Sequence, residues 1–194
     1  MNYAICYTSR TGSSLLCDWL RMNSIGCPDE WALSTPTKEK LLENRQRYTV
    51  DDICGVKIGV QDYLQWKELL ELDRFIWLQR RDVLSQAISL YRAINTGQWF
   101  IYSYQKMDRN VCFDREAILE LKLKIEDRNM QWREILKDKP HIDIWYEEMI
   151  KDPELTIRQI GSFLQVDLPD VLETKVARKI ARDDITEDWL RRLH

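Results

Sequence analysis

Residues 3–20, YAICYTSRTGSSLLCDWL, decide the fold. Tyr3–Tyr7 is a short apolar run of strand length. A Gly/Ser turn follows, and Leu15, Leu16, Trp19 and Leu20 then recur at helical spacing over about Ser13–Met22. A strand, a turn and a helix in succession open an α/β sheet, and such sheets bind phosphates between the strand end and the helix. Within Thr8–Ser14, Gly12 allows a tight bend, and the first N–H groups of the helix point outward along a dipole that favours an anion. Thr11, Ser13 and Ser14 add hydroxyl donors, and Arg10 adds a fixed charge. A plain Ser/Thr-rich N-cap turn would use the same residues, so the loop alone leaves both readings open.

The loop also lacks something. A Walker loop carries lysine after its second glycine, whereas Ser13 follows Gly12 here. A magnesium-dependent nucleotide or small-molecule kinase, the alternative reading, needs that lysine on the transferred phosphate. The loop therefore reads as a P-loop-like cradle that works without a metal.

Outward from this unit, apolar runs alternate with helical patterns. Strands are expected at Cys54–Gly59, Phe75–Leu78 and Ile142–Trp145, and a helix at Asp62–Leu72. Asp82 caps a helix with Val83, Ala87, Leu90 and Tyr91 near one face. Asp114 caps a long helix to about Leu136, and Asp152-Pro153 opens another, with aspartate at the cap and proline at the first helical position. Asn23–Val50 is a loop with a short helix around Lys38–Arg47, Asn95–Cys112 is an aromatic-rich loop, and a last helix is expected from Leu168 to about Ala181. The expected fold is three-layer α/β, with a mostly parallel sheet of four to five strands and flanking helices in one domain, 1–194.

A second strand–turn–helix unit is FIWLQRRDVLSQAISLYR, Phe75–Arg92. Arg80 and Arg81 end its strand, and Ser85 and Ser89 lie one turn apart on its helix. Arginine and serine so placed can grip a terminal phosphate, although in isolation a solvated Arg-Arg pair capping the sheet is the preferred reading. Two such sites on neighbouring strands suit a nucleotide with phosphates at both ends of its ribose.

Bulk properties narrow the class. The 194 residues carry 29 Lys and Arg against 32 Asp and Glu, a net charge of −3, which argues against a nucleic-acid binder while allowing a local basic pocket. Five cysteines without a CxxC pair argue against a zinc site or a redox motif. No targeting segment is evident, and no apolar run reaches the roughly 20 residues of a membrane span. A cytoplasmic protein is expected.

The chain resembles the sulfotransferases that use 3′-phosphoadenosine 5′-phosphosulfate (PAPS), and among them the bacterial trehalose 2-sulfotransferase-like family. The matching stretches are Tyr7–Leu16, Gly26–Trp31, Gly55–Ile58 and, most specific, Arg80–Trp99; Trp145–Met149, Asp152-Pro153 and Glu187–Trp189 match more weakly. The resemblance implies PAPS as co-substrate, its product PAP (3′,5′-adenosine bisphosphate), and no metal. Ser9, Arg10, Thr11, Gly12, Ser13 and Ser14 would hold the phosphosulfate. Arg80 and Ser89 would hold the 3′-phosphate, with Arg81 a rival for Arg80 and with Arg178, Lys179 or Arg182 closing over it. The implied acceptor is a small molecule, a carbohydrate or glycoconjugate. Family members are often dimers, yet no exposed apolar helix demands a homodimer here.

Sulfuryl transfer needs a base for the acceptor hydroxyl and cations for the leaving oxygen. The two histidines are poorly placed: His141 precedes a strand and His194 is the last residue. Pro28-Asp29-Glu30-Trp31 resembles the family's Pro-x-Glu-aromatic segment, so Glu30 would be the base, with Arg10 or Lys57 at the leaving oxygen. On the acceptor side, Cys27 stands where the family usually carries an acid, and the stretch from Trp31 to Cys54 is short. Both departures argue against trehalose itself. Cys27, Trp31, Lys57 and Trp99 are the expected substrate contacts, with Tyr102 and Tyr104 as further platform candidates; core packing explains the same aromatics.

Overall fold

The computed structural model of the chain describes residues 1–33, 37–100, 106, 108–177 and 183–193. Five strands, β1 (Asn2–Tyr7), β2 (Thr49–Val50), β3 (Ile53–Ile58), β4 (Arg74–Gln79) and β5 (His141–Trp145), form one sheet in the order β2-β3-β1-β4-β5. β1 runs parallel to β3 and β4, β5 is parallel to β4, and only the two-residue β2 is antiparallel. This is the expected three-layer α/β arrangement, with β2 added as a short edge.

Alternation along β1 sorts the layers, because successive strand residues face opposite sides. Tyr3 and Ile5 join α1 (Ser13–Met22) and α7 (Pro153–Leu164) in one buried cluster that includes Leu16, Leu20, Ile157 and Ile160. Ala4 and Cys6 face the other layer, where Tyr63 and Trp66 of α3 (Val60–Leu70) meet Trp132 of α5 (Arg115–Leu136). Strands buried on both faces read as continuous apolar runs, which is why β1 and β4 were legible. A third cluster joins α4 (Val83–Thr96), α5 and α8 (Asp184–Leu193) through Ile88, Ile125 and Trp189. The remaining helices are α2 (Lys38–Tyr48), expected around Lys38–Arg47, and the short α6 (Tyr146–Lys151), which alone of these two was not anticipated. Among the described residues, no helix is long and apolar enough to cross a membrane.

One expectation is corrected. Residues 168–177 are not helical, and the last helix is Asp184–Leu193. Leu168, Leu172 and Val176 recur at helical spacing, yet they pack as an irregular segment on the α1–α7 cluster. Side chains take over the backbone bonding that a helix would supply. Asn23 donates to the Glu173 carbonyl and accepts from the Glu173 N–H, at 2.8 and 2.9 Å, and Trp19 Nε1 donates to the Thr174 carbonyl. Leu168, as the residue before Pro169, is itself disfavoured from helical geometry.

Candidate functional site: a two-ended anion cavity

The loop after β1 enters α1 through Gly12, at φ 84°, with Arg10 also in the left-handed region at φ 70°. Backbone of this kind is uncommon away from glycine and collects at ligand sites. A Cβ on Gly12 would lie 2.7 Å from the Tyr146 ring, so both the dihedral and the space require glycine. The α4, α5 and α7 helices are capped by Asp82, Asp114 and Asp152, whereas Gly12 makes no side-chain cap bond to α1. Nor does the first turn of α1 hold an acid. Its leading N–H groups are thus left for an anion.

The loop is fixed from behind. Thr11 is buried and donates to the Thr8 carbonyl at 2.9 Å, so its hydroxyl shapes the loop rather than facing the cavity. Gln86 of α4 is fully buried and donates through Nε2 to Thr8 Oγ1 at 2.9 Å and to the Ser9 carbonyl at 2.8 Å. Sequence reasoning missed Gln86. Its signal was only that an amide lay one position after Ser85 in the second unit.

Beside the loop stands a cluster of four side chains. Register places Lys57 of β3 opposite Ile5 of β1. The Lys57 N–H donates to the Asp29 carbonyl at 2.9 Å, and Asp29 bridges to Val56, so residues 28–30 run alongside β3. Glu30 is thereby brought to the buried Lys57, with Nζ 3.1 Å from Oε1. The same Nζ donates to Ser14 Oγ at 2.8 Å. Tyr7, the last residue of β1, donates its hydroxyl to Glu30 Oε1. Burial, reinforced by the Glu30 bond and charge, pushes the Tyr7 phenol well above its ordinary range, so it stays a protonated donor. Tyr7 was not singled out from sequence.

A second cationic group lies at the start of α4. Arg10 Nε donates to Ser89 Oγ at 2.9 Å, and Arg10 also donates to the Trp99 carbonyl. Arg80 donates to the Arg10 carbonyl at 3.3 Å, its guanidinium 4.7 Å from the Tyr146 ring centroid. Burial, and next the Arg80 charge, lower the pKa of Arg10. Two guanidinium charges that disfavour one another in this way are eased by a nearby anion. Arg81 turns away: it pairs with Glu148, lies over the Trp145 ring at 4.8 Å, and its N–H donates to Glu147. Of the two rival arginines, Arg80 is the one at the cluster.

A cavity of about 660 Å³ runs along the first cluster and reaches Arg10 of the second, while Arg80 and Ser89 are not among its lining residues. Ser9, Arg10, Ser13 and Ser14 line it from the loop, and Tyr7, Glu30 and Lys57 from the cluster. Leu33 and Gly97–Phe100 complete the described wall. Lys57 and Trp99, two of the four expected substrate contacts, both line this cavity. Trp31 does not: it is core, its Nε1 donating to the Gly55 carbonyl at 2.8 Å and its ring stacked on Tyr48. Cys27 is half-buried and is not among the lining residues. Arg10, weighed with Lys57 for the leaving oxygen, sits at Ser89, while Lys57 is the cation that touches both Ser14 and Glu30. His141 opens β5 with Nδ1 3.0 Å from the Lys139 carbonyl, away from the cavity wall. Tyr102, Tyr104, Arg178, Lys179, Arg182 and His194 lie outside the described residues.

Known proteins share this architecture. The mouse sulfotransferase SULT7A1, solved in complex with PAP, superposes with a TM-score of 0.58 at 19% identity, covering 87% of this chain and 59% of its own. A sulfotransferase from Alicyclobacillus acidocaldarius superposes with a TM-score of 0.59 at 13% identity, covering 97% of this chain and 89% of its own. At these identities the likeness is one of fold. No curated protein matches the chain. The family model described as Stf0 sulphotransferase matches residues 59–194, a span that contains the Arg80–Ser89 unit and begins after the first loop and Glu30. None of these comparisons supports the kinase alternative. More than two-thirds of the sequence lies in that match, and the chain belongs to the Stf0 sulphotransferase family.

Proposed function

We propose that the protein transfers a sulfuryl group from PAPS to a hydroxyl of a small acceptor, a carbohydrate or glycoconjugate. The observation that carries this reading is the position of Lys57 Nζ, 2.8 Å from Ser14 Oγ in the cradle and 3.1 Å from Glu30 Oε1. One cation thus joins the anion loop to a carboxylate in a single cavity, and a second cationic group stands at the other end of the loop. A donor with phosphates at both ends of its ribose suits that spacing of charge. The carbohydrate part of the reading rests on the resemblance of Pro28–Trp31.

In this mechanism the α1 N–H groups with Ser13 and Ser14 bind the 5′ end, and Arg80, Arg10 and Ser89 bind the 3′-phosphate. Glu30 takes the proton of the acceptor hydroxyl. The hydroxyl oxygen forms the new bond to sulfur, and the bond from sulfur to the 5′-phosphate oxygen breaks. Lys57 stabilises the charge left on that oxygen. As this charge grows it competes with Glu30 for Lys57, which strengthens Glu30 as a base when the proton must move. Tyr7 keeps the carboxylate oriented throughout.

Two measurements test the reading. Saturation with PAP at 100 times its Kd should stabilise the protein by about 2.7 kcal/mol in thermal unfolding. A response to ATP with magnesium and none to PAP would refute the donor assignment. Glu30→Gln should keep PAP affinity and lose about 10²–10⁴-fold in transfer. Unchanged turnover would remove Glu30 from the mechanism.

A further inference from the structure

Once the donor loop and the Tyr7, Glu30 and Lys57 cluster are set aside, the described cavity wall consists of Leu33, Gly97, Gln98, Trp99 and Phe100. The chemistry of this remainder is one-sided. Leu33 is 49% exposed, and Trp99 and Phe100 are each 44% exposed. Scattered single apolar residues on a surface mean little, but three large ones on one concave wall mark a ligand site.

Gln98 brings the one side-chain amide among these five residues, and it is already engaged. Its Nε2 donates to the Lys106 carbonyl at 3.0 Å, and its Oε1 accepts from the Asp108 N–H at 2.8 Å. A free disaccharide buried here would press many hydroxyls against described side chains that offer them few partners. Each buried hydroxyl without a partner is penalised. Aromatic rings can stack on a sugar face, but sugar specificity needs convergent polar groups around them. Apart from the donor loop, the described polar side chains of the cavity converge at Glu30, Lys57 and Tyr7, where one hydroxyl is wanted.

We infer that the acceptor is amphipathic: its reacting hydroxyl belongs to a molecule with an alkyl or aryl portion, and that portion lies against Leu33, Trp99 and Phe100. This rests on the sulfuryl-transfer reading for the role of the hydroxyl, and on the wall itself for the apolar portion. It narrows the carbohydrate expectation to a glycoside with an apolar aglycone, or to an apolar alcohol.

The test is calorimetric titration of octyl β-glucoside, glucose and trehalose into the full chain, with saturating PAP and without it. Octyl β-glucoside should bind at least tenfold more tightly than glucose, since about two buried methylenes suffice for that factor. Leu33→Ser and Trp99→Ser should each shrink the ratio at least threefold, and Leu33→Ser, which touches neither arginine of the donor site, should leave PAP affinity unchanged. Equal binding of octyl glucoside and glucose, or tighter binding of trehalose, overturns the inference. So does a ratio that survives both substitutions, because the alkyl chain would then sit elsewhere. If PAP fails to bind, the donor reading falls, and the titrations without PAP still decide the acceptor class.

Discussion

Replacing Gly12 by alanine should damage stability and donor binding together, and Gly97 supplies the control that separates the causes. Both glycines are left-handed, at φ 84° and φ 68°. Placing an L-residue there costs about 1–2 kcal/mol from the backbone alone. At Gly97 that is the whole effect, because among the described residues nothing lies within 4 Å of an added Cβ. At Gly12 the new methyl would meet Tyr146 Cδ2 at 2.7 Å, Cε2 at 2.9 Å and Met149 Cε at 3.1 Å. The Met149 methyl can yield, but Tyr146 is buried and carries Arg80 on its ring. Overpacking of this kind adds about 1–3 kcal/mol. Gly12→Ala should therefore cost about 2–5 kcal/mol and Gly97→Ala about 1–2 kcal/mol, read from urea unfolding with both m-values unchanged. Displacement of the Tyr146 ring also moves Arg80, so PAP affinity should fall in Gly12→Ala and hold in Gly97→Ala. Equal losses for the two variants would refute the steric argument. Undiminished PAP binding by a folded Gly12→Ala protein would refute the link from the loop through Tyr146 to Arg80.

Two further expectations follow from charges at opposite ends of α4. Arg80→Ala should weaken PAP binding by about 10–100-fold, the worth of a bond to a charged group, while Arg81→Ala, which loses an exposed pairing with Glu148 and a contact with the Trp145 ring, should leave it within about twofold; the reverse order in calorimetry would exchange their roles. At the other end, the buried Arg92 holds Asp183 at 2.6 Å. Burial alone would raise the Asp183 pKa, but the bonds from Arg92 and Thr186 outweigh it and hold the carboxyl below its ordinary value. A depressed carboxylate contributes stability that is present above the unfolded pKa of about 3.9 and lost as pH falls through the lower folded value. Asp183→Asn should cost about 3–5 kcal/mol at neutral pH by leaving a buried guanidinium without its carboxylate, and the gap from wild type should narrow below about pH 4. A gap independent of pH would show that the pair contributes through packing alone.

Features set by neighbours in sequence were legible. The Ser13–Met22 helix needed only its own apolar spacing, and Asp82, Asp114 and Asp152 each accept from an N–H three residues ahead, at Ser85, Ala117 and Leu155. Where the same local pattern serves two tertiary outcomes, sequence could not choose. The spacing of Leu168, Leu172 and Val176 suits a helix, yet Asn23 and Trp19 hold the backbone in another shape from about 150 positions away. Trp31 could as well have been a pocket wall as a core residue, and its bond to the Gly55 carbonyl decided for the core.

The candidate site divides in the same way, and the division explains why the resemblance was needed for Glu30. The cradle is local, since one turn and one helix start create its N–H groups and its hydroxyls. The chemistry that acts on a bound donor is not local. Ser14 and Lys57 lie 43 positions apart, Arg10 and Ser89 79 positions apart, and Tyr7 and Glu30 23 positions apart. Each pair meets only because β3 and β4 both flank β1 in parallel, which sets Lys57 beside Ile5 and leads the β4 chain into α4 next to the loop. A carboxylate in Pro28–Trp31 is an ordinary loop acid until that sheet order places a buried lysine against it. The parallel pairing of β1 and β3 is thus what makes Glu30 a candidate base, and a substitution that shifts their register should disable the cluster while leaving the cradle's own turn intact.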